Sequence, residues 1–179
     1  MSDLKKSFRV GLIGTGRISD IYLKNIKEFD NIDIVACGSL NTDESRAKAA
    51  EFGIERVIPP EQIISDPDID GILNLTIPAA HAQISFAALE AGKHVYSEKP
   101  FVTDLEDGQT ILKLAEQKGL LVGNAPDTFF GGRWQTVRKL LDSGVIGTPN
   151  GVRPSCPPAA WNVTTRTRIS IMPRAAGHF

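Results

Sequence analysis

Two short stretches hold the residue types best suited to chemistry: "VGLIGTGRIS" over 10–19 and "SEKPF" over 97–101. In the first, Gly14, Gly16 and Ser19 form G-x-G-x-x-S. Gly14 permits a tight turn, and Gly16 lets the backbone approach a pyrophosphate. The third position needs a small side chain for close helix-to-strand packing, which Ser19 supplies. Main-chain N–H groups and the positive end of a following helix would face the phosphates, and Arg17 could add a charge-assisted contact. Glycine also marks ordinary turns, so the motif gains its weight from its place at the first strand-to-helix junction.

In the second stretch, Pro100 disfavours the helical region for Lys99 and extends the chain where a fifth strand should end and a crevice open. The Lys99 ammonium could then point at a substrate hydroxyl or a nicotinamide ribose, with Glu98 as a counter-charge. Taken alone, a Lys-Pro boundary also reads as simple strand termination.

A carboxylate that binds an adenosine ribose is expected about 20 residues beyond the glycines, at the far end of the second strand. Asp33 has roughly that offset but lies where the strand begins. The far end holds Gly38, Ser39, Leu40 and Asn41. With no carboxylate there to repel a 2′-phosphate, and Ser39 and Asn41 able to bond either form, the reading leans slightly to NADP over NAD, although no Arg follows Ser39 as a clamp.

These residues need strand ends to hold them. Short apolar runs ("FRVGLIG", "IDIVACG", "RVI", "GILNLTI", "HVYSE", "LLVGNA") alternate with helical segments such as "DESRAKAAEFG" and "AQISFAALEAG". That alternation is the mark of βαβ units, and nearly continuous apolar strands imply a sheet covered on both faces. The expected fold is therefore α/β, a doubly wound parallel sheet of Rossmann type. Asp43 is expected to cap a helix that Gly53 stops, Gly92 to end the next, and Asp104 and Gly119 to bound another. After Ala125, Trp134, Val137, Leu140 and Leu141 fall at helical spacing, a structural stripe on a helix leaving the first domain.

A chain of 179 residues suits one full α/β domain plus a remnant. The expected divisions are a dinucleotide-binding domain over 1–125, a crossover loop and helix over 126–150, and an irregular tail over 151–179. With 20 basic and 21 acidic residues and a net charge of −1, nothing favours nucleic acid or an anionic membrane as partner. Cys37 and Cys156 have no metal spacing and form no disulfide framework, so no metal site is expected and a reducing cytoplasm is. No apolar run approaches the roughly 18 residues of a membrane span, and the start lacks a secretory apolar stretch.

Together "GLIGTGRIS", "TIPAAH" and "GKHVYSEKPF", in this order and spacing, resemble the cofactor domain of the glucose/fructose oxidoreductase and inositol dehydrogenase (Gfo/Idh/MocA) family, over about 8–151. The resemblance implies a two-domain NAD(P)-dependent oxidoreductase, moving hydride between nicotinamide and a carbinol carbon of a sugar, cyclitol or similar small molecule. It implies that Gly14, Thr15, Gly16, Arg17 and Ile18 hold the pyrophosphate and Ser39 the ribose. Thr76, Ile77, Pro78 and His81 would lie along the cofactor. Glu98 would border the nicotinamide, and Lys99, as the catalytic residue, would bind and polarise the reacting oxygen. His81 also reads as a plain helix-start residue, and His94 as structural.

Relatives continue after "IGTPNG" into a large second domain that supplies an acid/base group. Here the closing "WNVTTRTRISIMPRAAGHF" shows no such pattern, and His178 lacks the family's context. Read from the third base of each preceding codon, however, the codons of residues 162–179 permit "ERHHPDPDFYYAARGGPF", which resembles the family's "HPxPxFYYxxGGGP". The expectation is a change of reading frame near Gly151 or Val152, leaving the remnant of a missing second domain. The nicotinamide end would then be open to water, with exposed apolar surface available for self-association. General acid/base groups contribute about 10²- to 10⁴-fold in rate, so cofactor binding with little turnover is expected. The competing reading is a non-catalytic nucleotide-sensing or scaffold module with a partner-binding tail, but the tail shows no apolar anchor pattern.

Overall fold

A computed structural model describes residues 7–155 and 168–173. They belong to two compact units, Met1–Pro126 and Asp127–Phe179.

The first unit alternates strands and helices: β1 (Phe8–Ile13), α1 (Ser19–Ile26), β2 (Ile32–Gly38), α2 (Thr42–Phe52), β3 (Arg56–Val57), α3 (Pro60–Ser65), β4 (Gly71–Asn74), α4 (His81–Glu90), β5 (His94–Ser97), α5 (Leu105–Lys118) and β6 (Val122–Asn124). All six apolar runs read from the sequence form strands, and every pairing is parallel. The order β3-β2-β1-β4-β5-β6 is that of a Rossmann sheet. Its winding reverses between β1 and β4, so a crevice opens beyond the carboxyl ends of those two strands.

Neighbouring strand residues serve opposite faces. Leu12, Cys37 and Leu73 join one buried cluster, whereas Ile13, Ala36 and Ile72 join the other. Side chains alternate across a strand, so apolar residues in both registers require cover on both faces, which the helices provide. Gly11 lets α3 pack closely, because a Cβ there would collide with the Ile63 side chain.

Helix ends follow local chemistry. Asp104 caps α5 by accepting from the amides of Glu106 and Asp107, and Gly119 closes it at φ +66°. Gly53 ends α2 at φ +76°, but the cap at the other end is Asn41, not Asp43. An N-cap residue is extended and reaches the third amide, which Asn41 does at Glu44. Asp43 lies inside the first turn, where it pairs with Arg46.

In the second unit, α6 (Gly132–Asp142) carries the expected stripe, with Trp134, Val137 and Leu141 partly covered and Leu140 exposed. Two strands, β7 (Pro149–Ser155) and β8 (Arg168–Pro173), pair antiparallel. The expectation of an irregular tail is thus corrected for these segments. Cys156, Trp161 and His178 lie outside the described residues.

Candidate functional site: a dinucleotide cleft at the carboxyl edge of the sheet

The glycine loop closes β1 at the reversal point. Gly14 has φ +100°, and a Cβ there would lie 2.5 Å from the Leu75 carbonyl oxygen. Only glycine meets both conditions. Its amide is held by the Gly38 carbonyl at 2.9 Å, tying the loop to the end of β2. Gly16 differs: a Cβ there would meet nothing within 4 Å, so its face is open. Ser19 is fully buried and its Oγ donates to the Gly16 carbonyl at 2.7 Å, which folds the loop onto the start of α1. The amides of Thr15, Gly16, Arg17 and Ile18 donate to no main-chain carbonyl among the described residues. Adjacent unpaired amides at a helix start, beside an open glycine face, fit a pyrophosphate. Arg17 and Ile18 are exposed there, whereas the Thr15 side chain turns inward.

Beneath the loop, three hydroxyls form a triangle. Thr15 Oγ1 lies 3.0 Å from both Ser39 Oγ and Ser45 Oγ, and the two serine oxygens are 2.9 Å apart. Ser39 gives its single proton to the Asn41 carbonyl at 2.9 Å and accepts from Thr15 and from the Asn41 amide. Its bonding capacity is therefore taken up inside the protein. Ser39 thereby shapes the tip of β2 and locks it to the phosphate loop. Leu40 projects there, fully exposed. Asp33 stands near the start of β2, opposite Arg9 of β1, at the other edge of the sheet.

At the end of β4, Asn74 is fully buried and accepts from the Thr76 amide and hydroxyl at 3.3 and 2.7 Å. Its Nδ2 donates to the His81 carbonyl at 3.1 Å. Ile77 and Pro78 remain exposed on the lip of the cleft. His81 is fully buried, with Nδ1 at 2.6 Å from the Pro100 carbonyl and Nε2 at 3.1 Å from the Thr76 carbonyl. Each ring nitrogen faces a backbone carbonyl and the one carrying the proton donates, so His81 sits between the loop after β4 and the loop after β5.

Beyond β5, the Glu98 amide donates to the Asn74 carbonyl, and Asn124 Nδ2 donates to the carbonyls of Ser97 and Glu98, each at 2.9 Å. The Glu98 carboxylate accepts from Tyr22 Oη at 3.1 Å and from the Lys99 amide at 2.6 Å. Glu98 bonds the main chain of Lys99, and among the described residues the Lys99 ammonium makes no ion pair. Lys99 is exposed, and its peptide bond to Pro100 is cis.

Tyr22, Ser45, Asn74 and Asn124 were not singled out by the sequence reading. The two asparagines had a signal, since each is a polar residue closing an apolar strand. Tyr22 and Ser45 had none, because helical positions acquire partners only when the sheet assembles.

A doubly wound parallel sheet with a glycine loop at its reversal point defines a dinucleotide-binding domain of Rossmann type. The chain belongs to the Gfo/Idh/MocA oxidoreductase family, whose NAD-binding Rossmann fold matches residues 8–125. It is 27% identical over 146 residues to myo-inositol 2-dehydrogenase of Thermotoga maritima, covering 81% of this chain and 44% of that protein. Scyllo-inositol dehydrogenase from Lactobacillus casei, solved with NAD(H) and scyllo-inositol, superposes with TM-score 0.75 at 28% identity, over 83% of this chain and 45% of the other. A 3-ketoreductase variant from Actinomadura kijaniata, solved with TDP-benzene and NADP, gives TM-score 0.78 at 29% identity, over 84% and 47%. The chain thus spans less than half the length of the relatives it matches. Among the described residues, no helix is long and apolar enough to cross a membrane.

Proposed function

We propose that this chain binds NAD or NADP along the carboxyl edge of the sheet, as the cofactor half of an oxidoreductase acting on a cyclitol, sugar or similar polyol. The observation that carries the reading is the run of amides from Thr15 to Ile18, which donate to no main-chain carbonyl among the described residues, beside the open face of Gly16. Pyrophosphate binds those amides with Arg17 adding charge. The adenosine ribose meets the β2 tip that Ser39 shapes. The nicotinamide lies between Thr76, Ile77 and Pro78 on one side and Glu98 and Lys99 on the other, with His81 bracing both loops. When bound, nicotinamide supplies the hydride chemistry at a carbinol carbon. Lys99 holds and polarises the reacting oxygen, a role suited to an ammonium that makes no ion pair among the described residues. The substrate class rests on likeness to a myo-inositol 2-dehydrogenase, a scyllo-inositol dehydrogenase and a 3-ketoreductase.

The cofactor form leans to NADP, since Ser39, Leu40 and Asn41 at the β2 tip include no carboxylate to repel a 2′-phosphate. The 179-residue chain by itself is expected to bind cofactor and turn over little, and to work in the cytoplasm. Fluorescence titration with NADH and NADPH tests the proposal. Saturable binding of either, tighter for NADPH, is expected. Binding of neither overturns the reading, and a brisk dehydrogenase rate with a cyclitol overturns the expectation of low turnover.

A further inference from the structure

We infer that Tyr22, which belongs to no motif, is a positioning residue that holds the Glu98 carboxylate away from the Lys99 ammonium and so sets the nicotinamide end of the cleft. The inference rests on the dinucleotide reading above. Tyr22 lies one turn into α1, the helix whose amino end carries the phosphate loop, and its Oη reaches Glu98 Oε1 across 76 residues of sequence.

The backbone of Glu98 is already fixed on both sides, by the Asn74 carbonyl and the Asn124 amide. What remains to be fixed is the side chain, which is only partly buried. A phenol is a stiff donor, and its acceptor here is a carboxylate oxygen at 3.1 Å. With Tyr22 on one oxygen and the Lys99 amide on the other, the carboxylate is aimed by two donors and keeps lone pairs for a carboxamide N–H. Released from Tyr22, it is free to fold onto the neighbouring Lys99 ammonium. That ion pair would quench the charge meant for a reacting oxygen and withdraw the acceptor from nicotinamide. Tyr22 thereby couples the helix that binds phosphate to the residues that meet the reactive ring.

The test uses two ligands that share the pyrophosphate half and differ in nicotinamide: NADH against ADP-ribose, or NADPH against 2′-phospho-ADP-ribose. Tyr22→Phe removes only the hydroxyl. Affinity for the reduced dinucleotide should fall about tenfold, the scale of a lost bond to a charged group, while ADP-ribose affinity stays within about twofold. In a Glu98→Gln background, the same substitution should cost less than about twofold, because the charged acceptor is gone. Equal losses for both ligands would make the hydroxyl a mere support for α1 and overturn the inference, as would an undiminished loss beside Glu98→Gln or no loss at all. A wild-type chain that binds neither ligand overturns the dinucleotide reading and this inference with it, a result distinct from the other three.

Discussion

The Cβ that alanine would add at Gly14 falls 2.5 Å from the carbonyl oxygen of Leu75, whereas the one added at Gly16 reaches no atom within 4 Å. Two glycines separated by one residue are therefore required for different reasons, one by the fold and one by the space above it. Gly14→Ala is expected to destabilise the protein by about 1–3 kcal/mol, combining a left-handed backbone with a clash against main chain. Gly16→Ala should leave the urea midpoint nearly unchanged and weaken dinucleotide binding instead. Equilibrium denaturation and nucleotide titration of both variants separate the two effects; a reversed pattern would contradict the assignment.

The hydroxyl triangle gives a second expectation. Ser45 is fully buried and bonds Thr15, Ser39 and the Asn41 carbonyl. Ser45→Ala should cost about 1–2 kcal/mol in denaturation experiments, the scale of an intramolecular hydrogen bond plus partly unsatisfied neighbours.

Lys93 is buried, and its ammonium donates to the carbonyls of Asp66 and Ile69 at 2.7 and 2.6 Å. Lys93→Met keeps the stem and removes the donor, taking a partner from the Ile69 carbonyl and leaving the Asp66 carbonyl with the Ile69 amide alone. A loss of about 2–3 kcal/mol is expected, read from the shift in denaturation midpoint.

Acid should weaken the fold partly through Asp66. The Asp68 amide holds its carboxyl below the usual carboxylate range, burial opposes, and the Arg56 guanidinium adds to the lowering. A lowered folded value means that the unfolded chain binds the proton more readily. The contribution is therefore complete above the ordinary carboxylate range and fades as pH falls through the folded value. Asp66→Asn should flatten the dependence of the urea midpoint on pH in that acid window, and an unchanged slope would count against this account.

Burial pushes the Cys37 thiol up to about 11. The thiolate is the reactive form, so at pH 8 alkylation of Cys37 in the folded protein should be far slower than in urea. Peptide mapping after timed iodoacetamide treatment measures this directly. The same raised value implies stability that is complete below the unfolded thiol's value and fades as pH climbs through about 11.

The sequence by itself determined the six parallel strands, the α/β class and the glycine loop, because those depend on local periodicity and on backbone freedom at single positions. Runs such as "GILN" are apolar in both registers, which dictates a sheet covered twice. Capping at Asp104 and Gly119 was equally local. What only the tertiary structure decided is where polar side chains turn. Ser39 bonds inward to Thr15 and Ser45, His81 lies between two loop carbonyls, and Glu98 turns to Tyr22 and its neighbour's amide. Those partners lie up to 76 residues apart, so no spacing rule predicts them. A buried polar atom must find whichever donor or acceptor the assembled sheet brings within reach.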